Sequence, residues 1–130
     1  MTGLKRPDLL YPELSYKLIG ILFEVFNEIG YGYQEKHYQK AIANTLKNLD
    51  VAFKEQLPCQ IVCRKEVVGR YFLDFLVEDK IVIEIKRGRY FSKDNINQVY
   101  GYLKATGLKL EIIVNFTPNG VRFKRIVNIK

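Results

Sequence analysis

Two carboxylates and an amine interrupt stretches that otherwise read as the interior of a sheet. In residues 74–86, DFLVEDKIVIEIK, Asp74 breaks the first apolar run, and Glu84 and Lys86 break the second. Side chains alternate along a strand, so Glu84 and Lys86 share one face while Ile81, Ile83 and Ile85 point the other way into a core. Asp74 lies across the short EDK link. An antiparallel register sets it beside Glu84, because cross-strand partners approach to roughly 5 Å. Two carboxylates that close repel unless a cation lies between them. That is the arrangement for a hard divalent ion such as Mg²⁺ or Mn²⁺, which takes a few carboxylates and fills its remaining positions with water and phosphate. A neighbouring lysine orients or deprotonates an attacking water and offsets charge building on phosphorus. Without such an ion, the same three residues are the polar, solvent-facing side of an amphipathic sheet.

Helices and strands must position these groups. In LSYKLIGILFEVFNEIG, residues Leu14, Leu18, Ile21, Leu22, Val25 and Ile29 form one helical stripe, closed by Gly30 and Gly32. A second helical pattern runs from Gln34 to Leu49, with Tyr38, Ile42, Thr45, Leu46 and Leu49 on one face. Glu35 falls three residues before Tyr38 and so on the same buried stripe, where a carboxylate is costly unless it is paired or bound to a metal. A local salt bridge to lysine is the plain alternative. After Asp50 the preferences turn to strand: VAFKEQLPCQIVC, VVGRYFLDFLV and IVIEIK, joined by the short polar links RKE and EDK, read as an antiparallel meander. A basic loop follows. Ser92 or Asp94 then caps a helix that carries Ile96, Val99 and Leu103 and stops at Gly107. On it, Gln98 and Tyr102 are four residues apart and share a face, toward the carboxylates or along an ordinary polar edge. LKLEIIVNF and VRFKRIVNI read as two last strands joined by TPNG. The order ααβββαββ is one α/β domain over residues 1–130, with 1–12 as an N-terminal extension.

The chain has 130 residues, 48% hydrophobic and 27% charged, a composition that excludes disorder as its organising state. No apolar run approaches the roughly 20 residues of a membrane span, and the first residues lack the apolar stretch of a signal peptide, so a soluble, cytoplasmic protein is expected. Cys59 and Cys63 lie roughly 13 Å apart on a straight strand, too far for a disulfide, and a single histidine makes a zinc site a poor fit. Both cysteines are expected as reduced core or half-core residues, and His37 at the surface or its boundary. Net charge is +7. Residues 86–130 hold ten Lys or Arg against Asp94 and Glu111, a net +8, which leaves about −1 for residues 1–85. Such asymmetry fits a face that meets phosphate, or simply the solvated surface of a basic protein. Tyr31, Tyr33, Tyr90 and Phe91 flank loops near the carboxylates, where they serve base stacking or core packing.

The motif D-x9-E-x-K at Asp74, Glu84 and Lys86 resembles the core of the PD-(D/E)xK nucleases, whose αβββαβ order the element sequence accommodates. GYQEKHY, from Gly32 to Tyr38, resembles the G-x-x-E-x-x-Y signature of the GxxExxY family within that superfamily. Gln98 and Tyr102 in QVYGY resemble the Q-x-x-x-Y motif of its RecB-like and lambda-exonuclease-like branch. YLKATG followed by IIVNF is similar to that family's end. The resemblance covers about residues 14–126. One departure stands out: Leu73 occupies the place of the proline that names the superfamily.

The resemblance implies a restriction-endonuclease-like core on a single central mixed sheet, with an extra N-terminal helix and a C-terminal strand. It also implies a metal-dependent nuclease acting on DNA. Asp74 and Glu84 would hold the ion with the Ile85 carbonyl, and Glu35 would join directly or through water. Lys86 would serve the water and the transition state, helped by Gln98 and Tyr102. Arg87, Arg89, Lys93 and Tyr90, just after Lys86, are the first candidates for nucleic-acid contact. The alternatives are a catalytically silent nucleic-acid-binding module, or an accessory domain completed by a homodimer or another protein partner.

Overall fold

The structure is a computed structural model that describes residues 10–86 and 93–128, the side chains of residues 93–95 and 98 excepted. Helix α1 (Pro12–Ile29) starts on a proline, whose missing N–H costs nothing in a first turn, and stops at Gly30 with φ 80°. Its buried stripe is Ser15, Leu18, Ile21, Leu22 and Val25, while Leu14 and Ile29 at its ends are half-buried. Helix α2 (Glu35–Asn48) buries Tyr38, Ile42, Ala43 and Leu46. Leu49 departs from the expected stripe. It caps α2 rather than extending it, and it is 45% exposed.

Strands β1 (Phe53–Cys63), β2 (Glu66–Val77) and β3 (Ile81–Ile85) form the expected antiparallel meander. Helix α3 (Lys93–Thr106) carries the chain across, and β4 (Leu110–Thr117) then pairs with β3 in parallel. Parallel neighbours need such a crossover, and both strands are buried on both sides. Strand β5 (Gly120–Val127) returns beside β4 through a two-residue turn, with Thr117 facing Gly120 at φ 131°. The sheet order is β1-β2-β3-β4-β5. Of the expected N-terminal extension, residues 1–9 lie outside the described residues, as does Ser92, while Pro12 already belongs to α1.

The layers are α/β/α. α1 and α2 pack on one face of the sheet over Phe75, Val77, Ile81, Ile83, Ile85, Ile112 and Val114. α3 covers the other face, where Val99 and Leu103 meet Ile113 and Ile126, and Leu73, Leu76 and Val82 form an adjoining cluster. Each fully buried large aliphatic side chain contributes on the order of 2 kcal/mol to this core.

The alternation slips once. Leu73 and Leu76, three apart, share the α3 side, whereas Phe75 lies in the α1/α2 core. On β1, Phe53 packs toward the α1/α2 core but Leu57 and Cys59 toward the other side. Between them Gln56 has φ 48°, and no pair forms between Gln56 and Asp74 although both flanking pairs do. Asp74 therefore sits in a local defect shared by two strands.

Candidate active site

Asp74 and Glu84 are brought together at the β2–β3 junction, one step past the last regular pair of Phe75 with Ile83. The Asp74 amide donates to Glu84 Oε2 at 3.1 Å, and the Ile85 amide donates to Asp74 Oδ2 at 2.7 Å. Here side-chain carboxylates take the place of ladder carbonyls. Gln56 Nε2 donates to Asp74 Oδ1 at 3.3 Å, and Tyr71 donates its hydroxyl to Glu84 Oε1 at 2.5 Å. Gln39 Nε2 reaches across from α2 to the Asp74 carbonyl at 3.0 Å and to Glu55 Oε1 at 3.2 Å.

Lys86 lies one residue beyond β3, held to β4 by its amide, which donates to the Val114 carbonyl at 2.9 Å. Its side chain is half-buried and lines a cleft of about 330 Å³ with Glu35, Arg70, Tyr71, Asp74, Glu84 and Ile85. Glu35, the first residue of α2, is half-buried rather than fully covered, because the stripe it belongs to is not yet roofed at the helix end. Gly32, with φ 107°, turns the chain into α2. Tyr38 anchors that turn by donating to the Gly30 carbonyl at 2.5 Å, and its ring stacks on Phe116 at 4.2 Å.

The electrostatics are strained. Burial raises the Glu84 carboxyl to about 7, with the Asp74 charge adding to the rise and the Tyr71 bond and Lys86 opposing it. Glu111 was not anticipated. It stands on β4 beside Val82, fully buried, with neither carboxylate oxygen hydrogen-bonded. Burial first, then the Glu84 charge, push it up to about 9. The signal was present, since a lone acid inside the apolar run LKLEIIVNF is what marked Asp74 and Glu84. Tyr71, Gln39 and Gln56 were also missed, because nothing in spacing links them to the carboxylates.

Tyr102 reaches the site through a neighbour. Its ring stacks on Tyr71 at 4.9 Å, and its hydroxyl donates to the Cys59 sulfur. Burial, together with these acceptors, holds both phenols protonated well above the usual tyrosine range. The side chains of Gln98 and Lys93, and all of Arg87, Arg89, Tyr90 and Phe91, lie outside the described residues. Cys59 is half-buried as expected, but Cys63 is exposed at the hairpin end. His37 is exposed against Tyr33. Tyr31 and Tyr33 are exposed beside a second hollow that shares Glu35, Ile85 and Lys86 with the cleft.

Among the described residues, no three His, Cys, Asp or Glu side chains are gathered to hold an ion by themselves. The donor set still suits a hard cation. Asp74 and Glu84 are oxygen ligands, each of their oxygens accepts one hydrogen bond among the described residues, and a divalent charge would relieve the repulsion that adds to the rise of Glu84.

An α/β/α sandwich with a mixed five-stranded sheet and two facing carboxylates one strand-step from a lysine defines a restriction-endonuclease-like protein. The chain belongs to the PD-(D/E)XK nuclease superfamily, whose model matches residues 12–126. The crystal structure of SSO0001 superposes with a TM-score of 0.53 at 21% identity, over 72% of this chain and 49% of that one. This chain thus spans about half of that protein, and the likeness is one of fold alone. No curated protein matches it. Among the described residues, no helix is long and apolar enough to cross a membrane.

Proposed function

We propose that this chain is a divalent-metal-dependent nuclease that hydrolyses phosphodiester bonds in DNA, within the GxxExxY family and the RecB-like branch. The observation that carries the reading is the convergence of Asp74 and Glu84 on a cleft rimmed by Lys86 and Glu35. Asp74 and Glu84, with the Ile85 carbonyl, would hold Mg²⁺ or Mn²⁺, which supplies water activation and charge neutralisation on the phosphate. Lys86 positions the attacking water and stabilises developing negative charge. Glu35 orients water from the start of α2. Gln98 and Tyr102 support the carboxylate side from α3, Tyr102 by bracing Tyr71. Arg87, Arg89, Tyr90 and Lys93 contact the nucleic-acid backbone.

The test is Mg²⁺ and Mn²⁺ calorimetry beside a DNA-cleavage assay. Asp74→Asn is expected to lose metal binding and cleavage together, and Lys86→Ala to keep the metal and lose roughly 100-fold or more in rate. A wild-type protein that takes up no ion even with DNA present overturns the reading.

A further inference from the structure

Strands β1 and β2 outrun the sheet. β3 covers β2 only from Phe75 to Val77, whereas β1 and β2 stay paired out to Cys63 and Glu66. Residues 60–68 are all exposed, as are Arg70 and Phe72, so this part of the hairpin is a two-stranded arm standing off the body. From Asp74 to Arg64 it spans on the order of 30 Å.

The tip is built at a cost. Arg64 and Lys65 form a two-residue turn with φ of 52° and 70°. Such a turn favours Asn-Gly, and a side chain with a Cβ in this conformation costs about 1–2 kcal/mol per residue. Placing two long cations there gives up stability to put positive charge at the exposed end of the arm. Within residues 58–72, Arg64, Lys65 and Arg70 face one acid, Glu66. Val62, Val67, Val68 and Phe72 are each more than half exposed along the same ribbon. At its root, Ile61, Arg70, Tyr71 and Phe72 line the cleft that holds Asp74, Glu84 and Lys86.

We infer that the β1–β2 arm is a duplex-DNA-binding element that enters the major groove and delivers the backbone to the cleft, an inference that rests on the nuclease reading. A two-stranded ribbon fits the roughly 12 Å major groove of B-form DNA. The deep, narrow major groove of A-form RNA does not admit one. The cationic tip meets phosphate, and the exposed valines meet apolar groove surface such as thymine methyls. The arm thereby makes double-stranded DNA the substrate class.

The test replaces the tip by Arg64→Asn with Lys65→Gly, which keeps the turn and removes both charges. Binding to a 30-base-pair DNA duplex, and to RNA of the same sequence, is followed by fluorescence anisotropy over a KCl series without divalent ion. Mg²⁺ calorimetry is run on both proteins. The expected results are tighter binding of DNA than RNA by tenfold or more, weaker DNA binding by the double variant, and a salt slope shallower by about 2. Mg²⁺ binding should match between the two proteins. A variant with unchanged DNA affinity and slope, in a protein that still binds Mg²⁺ and cleaves, overturns the arm and leaves the nuclease reading standing. The arm is likewise overturned if sedimentation shows a wild-type dimer that Val62→Ser with Val68→Ser dissociates without loss of DNA affinity. A wild type that binds neither metal nor nucleic acid overturns both.

Discussion

Asp74 and Glu84 hold each other through the main chain. The Asp74 amide donates to the Glu84 carboxylate, and the Asp74 carboxylate accepts the amide of Ile85, the residue after Glu84. The two acids are thus fixed before any ion arrives, and their repulsion is spread over donors that a regular ladder would have paired with carbonyls. Structure and chemistry at this pair are separable by substitution.

Asp74→Asn keeps an acceptor oxygen for the Ile85 amide and should cost less than about 1 kcal/mol in urea unfolding. Asp74→Ala strands that amide and should cost about 1–3 kcal/mol. Both should abolish metal binding equally, so stability and calorimetry will diverge for Asn and agree for Ala.

Tyr71→Phe removes the hydrogen bond that lowers the Glu84 carboxyl, leaving burial and Asp74 to raise it further above about 7. Metal binding needs the ionised carboxylate. The midpoint of Mg²⁺ affinity against pH should therefore move upward by about one unit, the equivalent of one hydrogen bond. Calorimetry between pH 6 and 9 reads it directly.

Glu111, together with Glu84, makes stability fall with rising pH. The Glu111 carboxyl titrates at about 9 in the folded protein against 4.5 for the ordinary group, so the native state keeps a proton that the unfolded chain releases above 4.5. Its contribution is fully favourable below 4.5 and is lost as pH rises toward 9, at up to about 1.4 kcal/mol per unit. Urea midpoints should fall from pH 5 to pH 9. Glu111→Leu, which removes a buried acid without orphaning any partner, should reduce that fall and be more stable than wild type at pH 8, the remaining slope being that of Glu84.

Tyr38→Phe keeps the stack on Phe116 but loses the bond to the Gly30 carbonyl. It should cost about 1 kcal/mol. Because that bond fixes the turn leading into Glu35, cleavage should fall more than stability does, with Mg²⁺ affinity little changed.

The elements were legible because their periods are clean. The α1 stripe, the meander and the β4–β5 hairpin follow from apolar spacing and turn residues, and the Asp74–Glu84 pairing follows from the short link between their strands. Leu49 misled because hydrophobic spacing does not say where a helix stops; here Asp50, with φ 56°, ends the run. Tyr71 and Gln56 were illegible because β1 and β2 change sides near them, and a strict period of two assigns such residues to the wrong face. Glu111 interrupts β4 as Glu84 interrupts β3, but no second acid across a short link accompanies it to mark it as part of a site.

The break in alternation at Gln56 and Asp74 also bears on how far this chain can be made to tolerate heat. The usual routes to a sturdier sheet are β-branched residues and relief of left-handed backbone, and both press toward a regular pleat. At residues 56 and 74 a regular pleat would return the amides to ladder carbonyls and take away the bonds from Gln56 and Ile85 that hold the Asp74 carboxylate. Selection for robustness and the proposed nuclease chemistry are opposed at these two positions, while along α1 and in the layer beneath α3 they can proceed independently. Thermal adaptation of this protein should accumulate in the helices and leave the irregular strands as they are.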